Sequence, residues 1–393
     1  MPEQFLHGVE VIQVDDGIRP IRIAKSSAIG LVGTASDAPG GFPRNEPVLI
    51  KGPRDAAQLG TGGTLKDAYM AAYQNGASEV IVSLVPEGSS AAETMANVVG
   101  DPTAGTGVWA LQNAGSKLDI VPRINAAPGF TTGLPADGVN PVVSNLITIG
   151  DNTRAIVVKD GPNTTEEDAK LDRQNYGSDR LLIVDPAVRV FDTDSATYVT
   201  QPNSGYVAGL IAKRDVEKGF WWSPSNQVIR GISGTARPVS FHLSSSATEA
   251  NRMNEAEVAT IVRRNGFRLW GNRSTSADAQ WPFLSVRRTA DIIYESIEQA
   301  HLWAMDRPMS AQLIMDIRDG LQAMGQQLIN SGALLGFNCW LDPERNTETT
   351  LKAGKLYLDF DFEPPAPLEH LIFRAHRNGS YYDELISGVS AAA

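Results

Sequence analysis

Apolar and polar positions alternate in short runs over the first two thirds of the chain, then settle into long stretches of helical spacing. Residues 8–14 (GVEVIQV) mix alternation with β-branched character and stop at Asp15-Asp16-Gly17, which predicts a lone N-terminal strand. The run 26–34 (SSAIGLVGT) predicts a buried strand, followed by a Gly- and Pro-rich loop to Pro47. Thr64 opens a helix, with Asp67 in capping-box position, Leu65, Tyr69 and Ala72 or Tyr73 as its stripe, and Asn75-Gly76 as its stop. Residues 79–85 (EVIVSLV) form the next strand, so the order strand, helix, strand predicts a βαβ unit with a parallel pair. Residues 86–150 are rich in Gly, Ala, Asn and Pro and read as a loop-rich insertion on the outside of the domain. Strand character returns at 155–159 and 180–185, and 204–218 predicts a helix with Val207, Leu210 and Ile211 inward.

Further on, Asn254 and Glu257 start a helix that stops at Asn265-Gly266, with FRLW (267–270) as a short strand after it. Two long helices follow, about 286–305 and 308–331, packed as a hairpin. The first carries Ile293, Ile297, Ala300 and Ala304 on one face; the second carries Leu313, Ile317, Leu321, Met324 and Leu328, with Pro308 in its first turn and Gly332 at its end. Strands at 336–341 and 355–362 pair as a hairpin, and past Pro364-Pro365-Ala366-Pro367 a last strand runs from about 368 to 376. An isolated two-stranded hairpin is marginal in water. The lone first strand and the proline-separated last strand are therefore candidates to complete a sheet in another molecule.

Composition narrows the class of protein. At roughly 100 to 200 residues per domain, 393 residues with 42% hydrophobic side chains give two or three domains. The net charge of −11 excludes whole-surface binding to nucleic acid or an anionic membrane. Cys339 is the single cysteine, so no disulfide within the chain is expected, and five histidines are a thin supply for metal or acid-base chemistry. The first twenty residues lack a signal-peptide pattern and no run reaches 18 apolar residues, from which synthesis and retention in the cytosol are expected.

Enzyme motifs are largely missing: there is no Walker loop, zincin helix, EF-hand or nucleophile elbow. Gly60-Thr61-Gly62-Gly63-Thr64 resembles a phosphate loop only in preceding a helix, and reads as a helix-entry turn. The pairs Asp192/Asp194 and Asp359/Asp361 supply too few ligands for a metal and read as solvated strand faces or turns. His370 and His376 would lie ~20 Å apart on a strand and cannot share one. No catalytic, cofactor or metal site is expected. Arginine density stands out: Arg263, Arg264, Arg268, Arg273, Arg287 and Arg288 lie within 26 residues that hold one acid, Asp278, and no lysine. This basic seam either pairs internally, with acids such as Asp291, Glu295 and Glu298, or faces an acidic partner.

Several segments, in order, resemble the contractile tail sheath proteins of bacteriophages and phage-tail-like bacteriocins. They are HGVEVIQVDDGIRPI, SSAIGLVGTASDAP with NEPVLI, GYVAGLIAKRDVEKGFWWSPSNQVIRGI, NEAEVATIVRRNGFRLWGNRS, FLSVRRTADIIYESIEQA, INSGALLGFNCWLDPERNT and GKLYLDFDFEPPAPLEHLIF. The resemblance implies a structural, non-enzymatic protein without a cofactor. Such a subunit stacks in hexameric rings around a tail tube and contracts from a metastable extended state to drive the tube through the bacterial envelope. It implies an α/β and α+β architecture. An arm (1–19) is followed by an outer α/β domain with a mixed or parallel sheet (20–265, with 86–150 variable), an inner tube-facing domain of helices and a small sheet (266–365), and a C-terminal arm (366–393). Carried onto this sequence, Val9, Val11, Ile12 and Val14 form the N-arm strand, Leu371, Ile372 and Phe373 the C-arm strand, and Phe337, Trp340, Leu356, Leu358 and Phe360 the receiving hairpin. Implied partners are further copies of the chain, the tube, baseplate and tail terminator proteins, with no nucleic acid and no direct membrane insertion. The implied location is the virion tail, after assembly in the host cytoplasm. The competing readings are an α/β enzyme binding a nucleotide or small molecule at its strand ends, and a non-contractile shell protein.

Overall fold

The computed structural model describes residues 21–133, 138–193 and 195–391; the N-arm positions Val9, Val11, Ile12 and Val14, and Asp194, lie outside them. Its strands in chain order are β1 (Ile29–Thr34), β2 (Pro47–Ile50), β3 (Val80–Val85), β4 (Ile124–Ala126), β5 (Ile156–Asp160), β6 (Leu181–Val184), β7 (Val188–Asp192), β8 (Thr197–Gln201), β9 (Gly234–Thr235), β10 (Val258–Arg263), β11 (Phe267–Trp270), β12 (Gly336–Leu341) and β13 (Leu358–Glu363). Eight of them make one mixed sheet in the order β11-β10-β6-β5-β4-β1-β3-β2, parallel from β10 to β3 and antiparallel at both edges. A three-stranded antiparallel sheet, β8-β7-β9, sits beside it.

Strand alternation divides this sheet between two cores. Ile29 and Leu31 of β1, Ile156 and Val158 of β5, and Leu182 and Val184 of β6 face the helices Leu65–Gln74 and Ser204–Glu217. Val32, Val157, Leu181 and Ile183 face the other way, toward Val142, Val143, Leu146 and Ile149 of the helix Pro141–Thr153. A sheet covered on both faces accounts for the nearly unbroken apolar runs of its strands. The helix Ser204–Glu217 crosses Leu65–Gln74 closely because Gly209 has no side chain: a Cβ there would stand 2.4 Å from the Ala72 carbonyl oxygen.

Three expectations are corrected here. Residues 86–150 are no external insertion, since they supply β4, between β1 and β5 in the middle of the sheet, and the buried helix Pro141–Thr153. A three-residue strand is too short to leave a periodic signal. The expected helix 254–265 is a helix, Glu249–Glu255, followed by β10, because Val258, Thr260, Ile261 and Val262 favour strand. Asn265-Gly266, at φ 48° and 102°, is the turn of the β10–β11 hairpin and not a helix stop. The α/β sheet thus runs through Trp270, past the boundary expected at 265.

The two long helices are Leu284–Ala300 and Ala311–Asn330, the second capped by Ser310 Oγ, which accepts from Leu313 N at 3.2 Å. Ile292 and Ile293 of the first share a core with Leu321, Met324 and Leu328 of the second and with Phe337, Cys339, Phe360 and Phe362 of the β12–β13 hairpin. Gly325 brings the second helix onto that hairpin; a Cβ there would lie 2.1 Å from the Phe337 ring. Beyond β13 the residues 364–378 form neither helix nor strand, so the strand expected at 368–376 has no partner among the described residues, and the helix Tyr381–Ala391 follows.

Candidate functional site

The glycine-rich turn 60–64 lies near the carboxyl end of β1, where an α/β enzyme would bind a nucleotide. Four of its five amides are already taken, Gly60 N by the Ala57 carbonyl oxygen, Thr64 N by that of Thr34, and the other two by a side chain. The Asp37 carboxylate accepts from Thr61 N at 2.9 and 2.8 Å, Gly62 N at 2.7 Å and Thr61 Oγ1 at 2.8 Å. These bonds, Gly62 N first, hold the Asp37 carboxyl down at a pKa of about 2. At the ends of β5 and β6 a second polar cluster is buried and satisfied in the same manner. Asp160 accepts from Ser204 N at 2.8 Å, Ser204 Oγ at 2.7 Å and Thr131 Oγ1 at 3.0 Å, which fixes the start of the helix Ser204–Glu217. Burial raises the Asp160 carboxyl against these bonds. Both clusters hold the fold together by turning these donors toward the chain's own carboxylates. Asp359 and Asp361 alternate on the outward face of β13, and His370 and His376 are exposed on the C-terminal segment.

The six arginines of the seam do not form one outward face. Arg288 is buried against Asp215, with Nη1 to Oδ1 at 2.7 Å, and also donates to the Ser26 carbonyl oxygen at 3.2 Å. Arg287 reaches Asp291 at 2.6 Å and Asp179 at 3.3 Å and stacks over Trp281. Arg180 also binds Asp291, Arg123 binds Glu295 at 2.7 Å, and Arg154 binds Glu298 at 2.6 Å. The acids expected as internal partners, Asp291, Glu295 and Glu298, thus take up one seam arginine and three that the sequence left unnoticed, tying the helix Leu284–Ala300 to the α/β domain. Arg268 donates to the Arg264 and Asn226 carbonyl oxygens, while Arg263 and Arg264 remain exposed.

Arg273 has a different role. Its Nε and Nη2 bind both oxygens of Glu369 at 2.9 and 2.7 Å, and its guanidinium lies over the Phe283 ring. With Pro364 buried, this clamp pins the root of the C-terminal segment along a groove of about 1480 Å³. Past the clamp Leu371, Ile372 and Phe373 are 59, 68 and 86% exposed. The N-terminal root is held as well: Ile21 packs into the helical core and Ala24 N donates to Ser296 Oγ at 2.9 Å. Neither root contact had a sequence signal, since Arg273 and Glu369 are far apart in the chain and Ser296 lies within an ordinary helical stripe.

The expected receiving hairpin is present as β12 and β13, paired from Gly336 with Glu363 to Leu341 with Leu358. Phe337 and Phe360 stack at 5.8 Å on its inner side, Leu358 packs beside them, and Trp340, 40% exposed, stands on the outer face opposite Asp359. Leu356 precedes the paired residues. Among the described residues neither outer edge is paired with a further strand.

Comparison with known proteins follows this layout. Residues 131–275 match the family model of the phage tail sheath protein central domain, and residues 276–377 that of the phage tail sheath C-terminal domain. The tail sheath protein of Escherichia phage P2 is 34% identical over 98% of this chain and 99% of its own length; a prophage major tail sheath protein of Pseudomonas aeruginosa (strain UCBPP-PA14) is 38% identical over 97% and 99%. The chain belongs to the phage tail sheath protein family. Among solved structures, the helical sheath of the anti-feeding prophage in its contracted state superposes with a TM-score of 0.71 at 17% identity, covering 95% of this chain and 100% of that one. The contracted sheath complex of the extracellular contractile injection system PVC gives 0.70 at 17% identity, over 96% and 100%. Sheath family members are structural components of tails, and the mixed α/β fold is that of contractile sheaths.

Proposed function

We propose that this chain is the repeating subunit of a contractile tail sheath, stacked as hexameric rings around a tail tube and contracting to drive that tube through a bacterial envelope. The observation that supports the assembly mechanism is the pairing of defects: a β12–β13 hairpin whose outer edges pair with no further strand among the described residues, and a C-terminal segment whose Leu371, Ile372 and Phe373 are exposed beyond a pinned root. In a lattice each defect completes the other. The C-arm residues, and Val9, Val11, Ile12 and Val14 of the N-arm, add strands to the hairpin of neighbouring copies through backbone ladders. A head-to-tail contact of this kind propagates into a helical filament.

Contraction then needs no nucleotide. A kinetically trapped extended lattice releases its energy when the baseplate triggers it, and the arms keep copies connected as they rotate. Tube, baseplate and tail terminator proteins are the other partners of this reading, with assembly in the host cytoplasm. The test is electron microscopy of purified protein, which should show hollow tubes, compared with a chain lacking residues 1–17, which should stay folded and soluble but unpolymerised. Ordered tubes from the truncated chain would sink the strand-exchange mechanism, and a wild-type monomer at high concentration would sink the sheath reading.

A further inference from the structure

The subunit carries two patches of opposite charge whose side chains have no ion partner among the described residues. The first surrounds the tip of the β10–β11 hairpin. Arg263 and Arg264 are exposed at the turn itself, and Arg268 is held beside them by its bonds to the Arg264 and Asn226 carbonyl oxygens at 2.9 and 2.7 Å. Arg230 joins them, because Ile229 N donates to the Phe267 carbonyl oxygen at 2.8 Å and brings the exposed Arg230 to the same edge. No salt bridge in the described structure engages any of the four, although the protein as a whole is acidic, at −11.

The second patch is the outer face of the β12–β13 hairpin. Asp359, Asp361 and Glu363 alternate along β13 on the face opposite Phe360 and Phe362. Across the ladder they meet Trp340, Asn338 and Gly336, none of them basic. Three carboxylates roughly 7 Å apart along a strand, next to a half-exposed indole, are what an arginine-bearing surface would fit: carboxylates for the fork of the guanidinium and a ring face for its plane.

We infer that these patches are the two halves of one intersubunit contact, the arginine tip of one copy docking on the acidic outer face of the hairpin of a second copy. This rests on the sheath reading and adds to it a contact by side chains, distinct from the backbone pairing of the arms at the hairpin edges. Charge complementarity selects a second copy as the occupant, since one chain supplies both signs, each without an ion partner among the described residues. Because the two patches differ, the contact is heterologous and propagates along the polymer. Fully desolvated, charge pairs of this kind contribute strongly to specificity and register.

The test is a charge swap. The variant Arg263→Glu/Arg264→Glu and the variant Asp359→Lys/Asp361→Lys should each fold, judged by circular dichroism. Each alone should raise the critical concentration for tube formation by at least about tenfold. Mixed in equal amounts they should assemble again, because every junction in the mixture can then be complementary. A mixture no better than either variant alone overturns the proposal, as does unchanged assembly of either variant. If the lysine variant assembles normally but no longer binds tube protein, the acidic face belongs to the tube and the proposal is wrong. Should a reversed variant misfold, Arg→Gln and Asp→Asn at the same positions must each weaken assembly and flatten its salt dependence, or the contact is refuted. Failure of the sheath reading is separate: wild-type protein would form no tubes, and the contact would be judged by whether the mixed variants, unlike either alone, form complexes in sedimentation.

Discussion

Asp37 shows how one carboxylate can decide between two readings of a loop. A glycine-rich turn before a helix offers amides to any anion, and here the chain supplies the anion itself. The folded pKa of about 2 lies below the ordinary aspartate value of 3.8, so the stabilisation is complete above roughly pH 4 and is lost as pH falls toward 2. Asp37→Asn should therefore lower Tm at neutral pH and flatten the acid limb of a thermal-stability profile between those limits; an unchanged limb counts against this role. Arg288 has a larger effect because it is buried with Asp215. Arg288→Ala leaves a buried carboxylate without its partner, at a cost of roughly 3 to 5 kcal/mol, a large share of the ~5–15 kcal/mol that holds a protein folded. Chemical denaturation should show that loss in the monomer, before any assembly. Reversing Arg287 and Arg288 is consequently a test of folding, and only arginines outside the internal network report on partners.

Among the elements, the C-terminal segment has its hinge placed by a contact and not by its prolines. The run Pro364 to Pro367 reads as the flexible break, yet Pro364 is buried and Glu369 is clamped by Arg273, which moves the expected hinge to about residue 370, where the exposed stretch continues past the clamp. Deleting 370–391 removes residues exposed throughout the described part of the segment. The thermal midpoint should stay within a degree or two of wild type while tube formation is lost, read by calorimetry and sedimentation on one preparation. The strands with uninterrupted apolar runs, β1, β3, β5 and β6, and the two long helices were legible because each is long enough to show its period. β4 was not, being three residues whose burial is decided by β1 and β5 on either side. The β10–β11 turn was misread for a physical reason: Asn-Gly satisfies both a helix end and a tight hairpin loop, since each needs positive φ there, and only the β-branched run before it separates the two. Of the candidate site, the hairpin was legible as two pairing strands, whereas residues 371–373, expected in a strand, form none among the described residues; the root clamps were not legible, since pairing between distant residues leaves no local pattern.

At the scale of the whole molecule, the distribution of ion pairs says where a moving sheath subunit can bend. The helix Leu284–Ala300 is joined to the α/β domain by Arg123–Glu295, Arg154–Glu298, Arg180–Asp291 and Arg288–Asp215, several of them largely buried. Breaking such a set during rotation would expose charges that were desolvated on folding, each at a cost of several kcal/mol. Among the described residues, none beyond Glu369 takes part in an ion pair of this kind. Rotation should thus be absorbed outside the body, with the α/β domain and the helical unit moving together. Hydrogen exchange compared between extended and contracted particles should give equal protection in both states for the amides of Leu284–Ala300 and of β4, β5 and β6, with changes concentrated in residues 370–391 and in β12 and β13. Loss of protection at the start of the Leu284–Ala300 helix in one state only would mean that the ion-paired junction opens, and that the energy of contraction is stored partly inside the subunit.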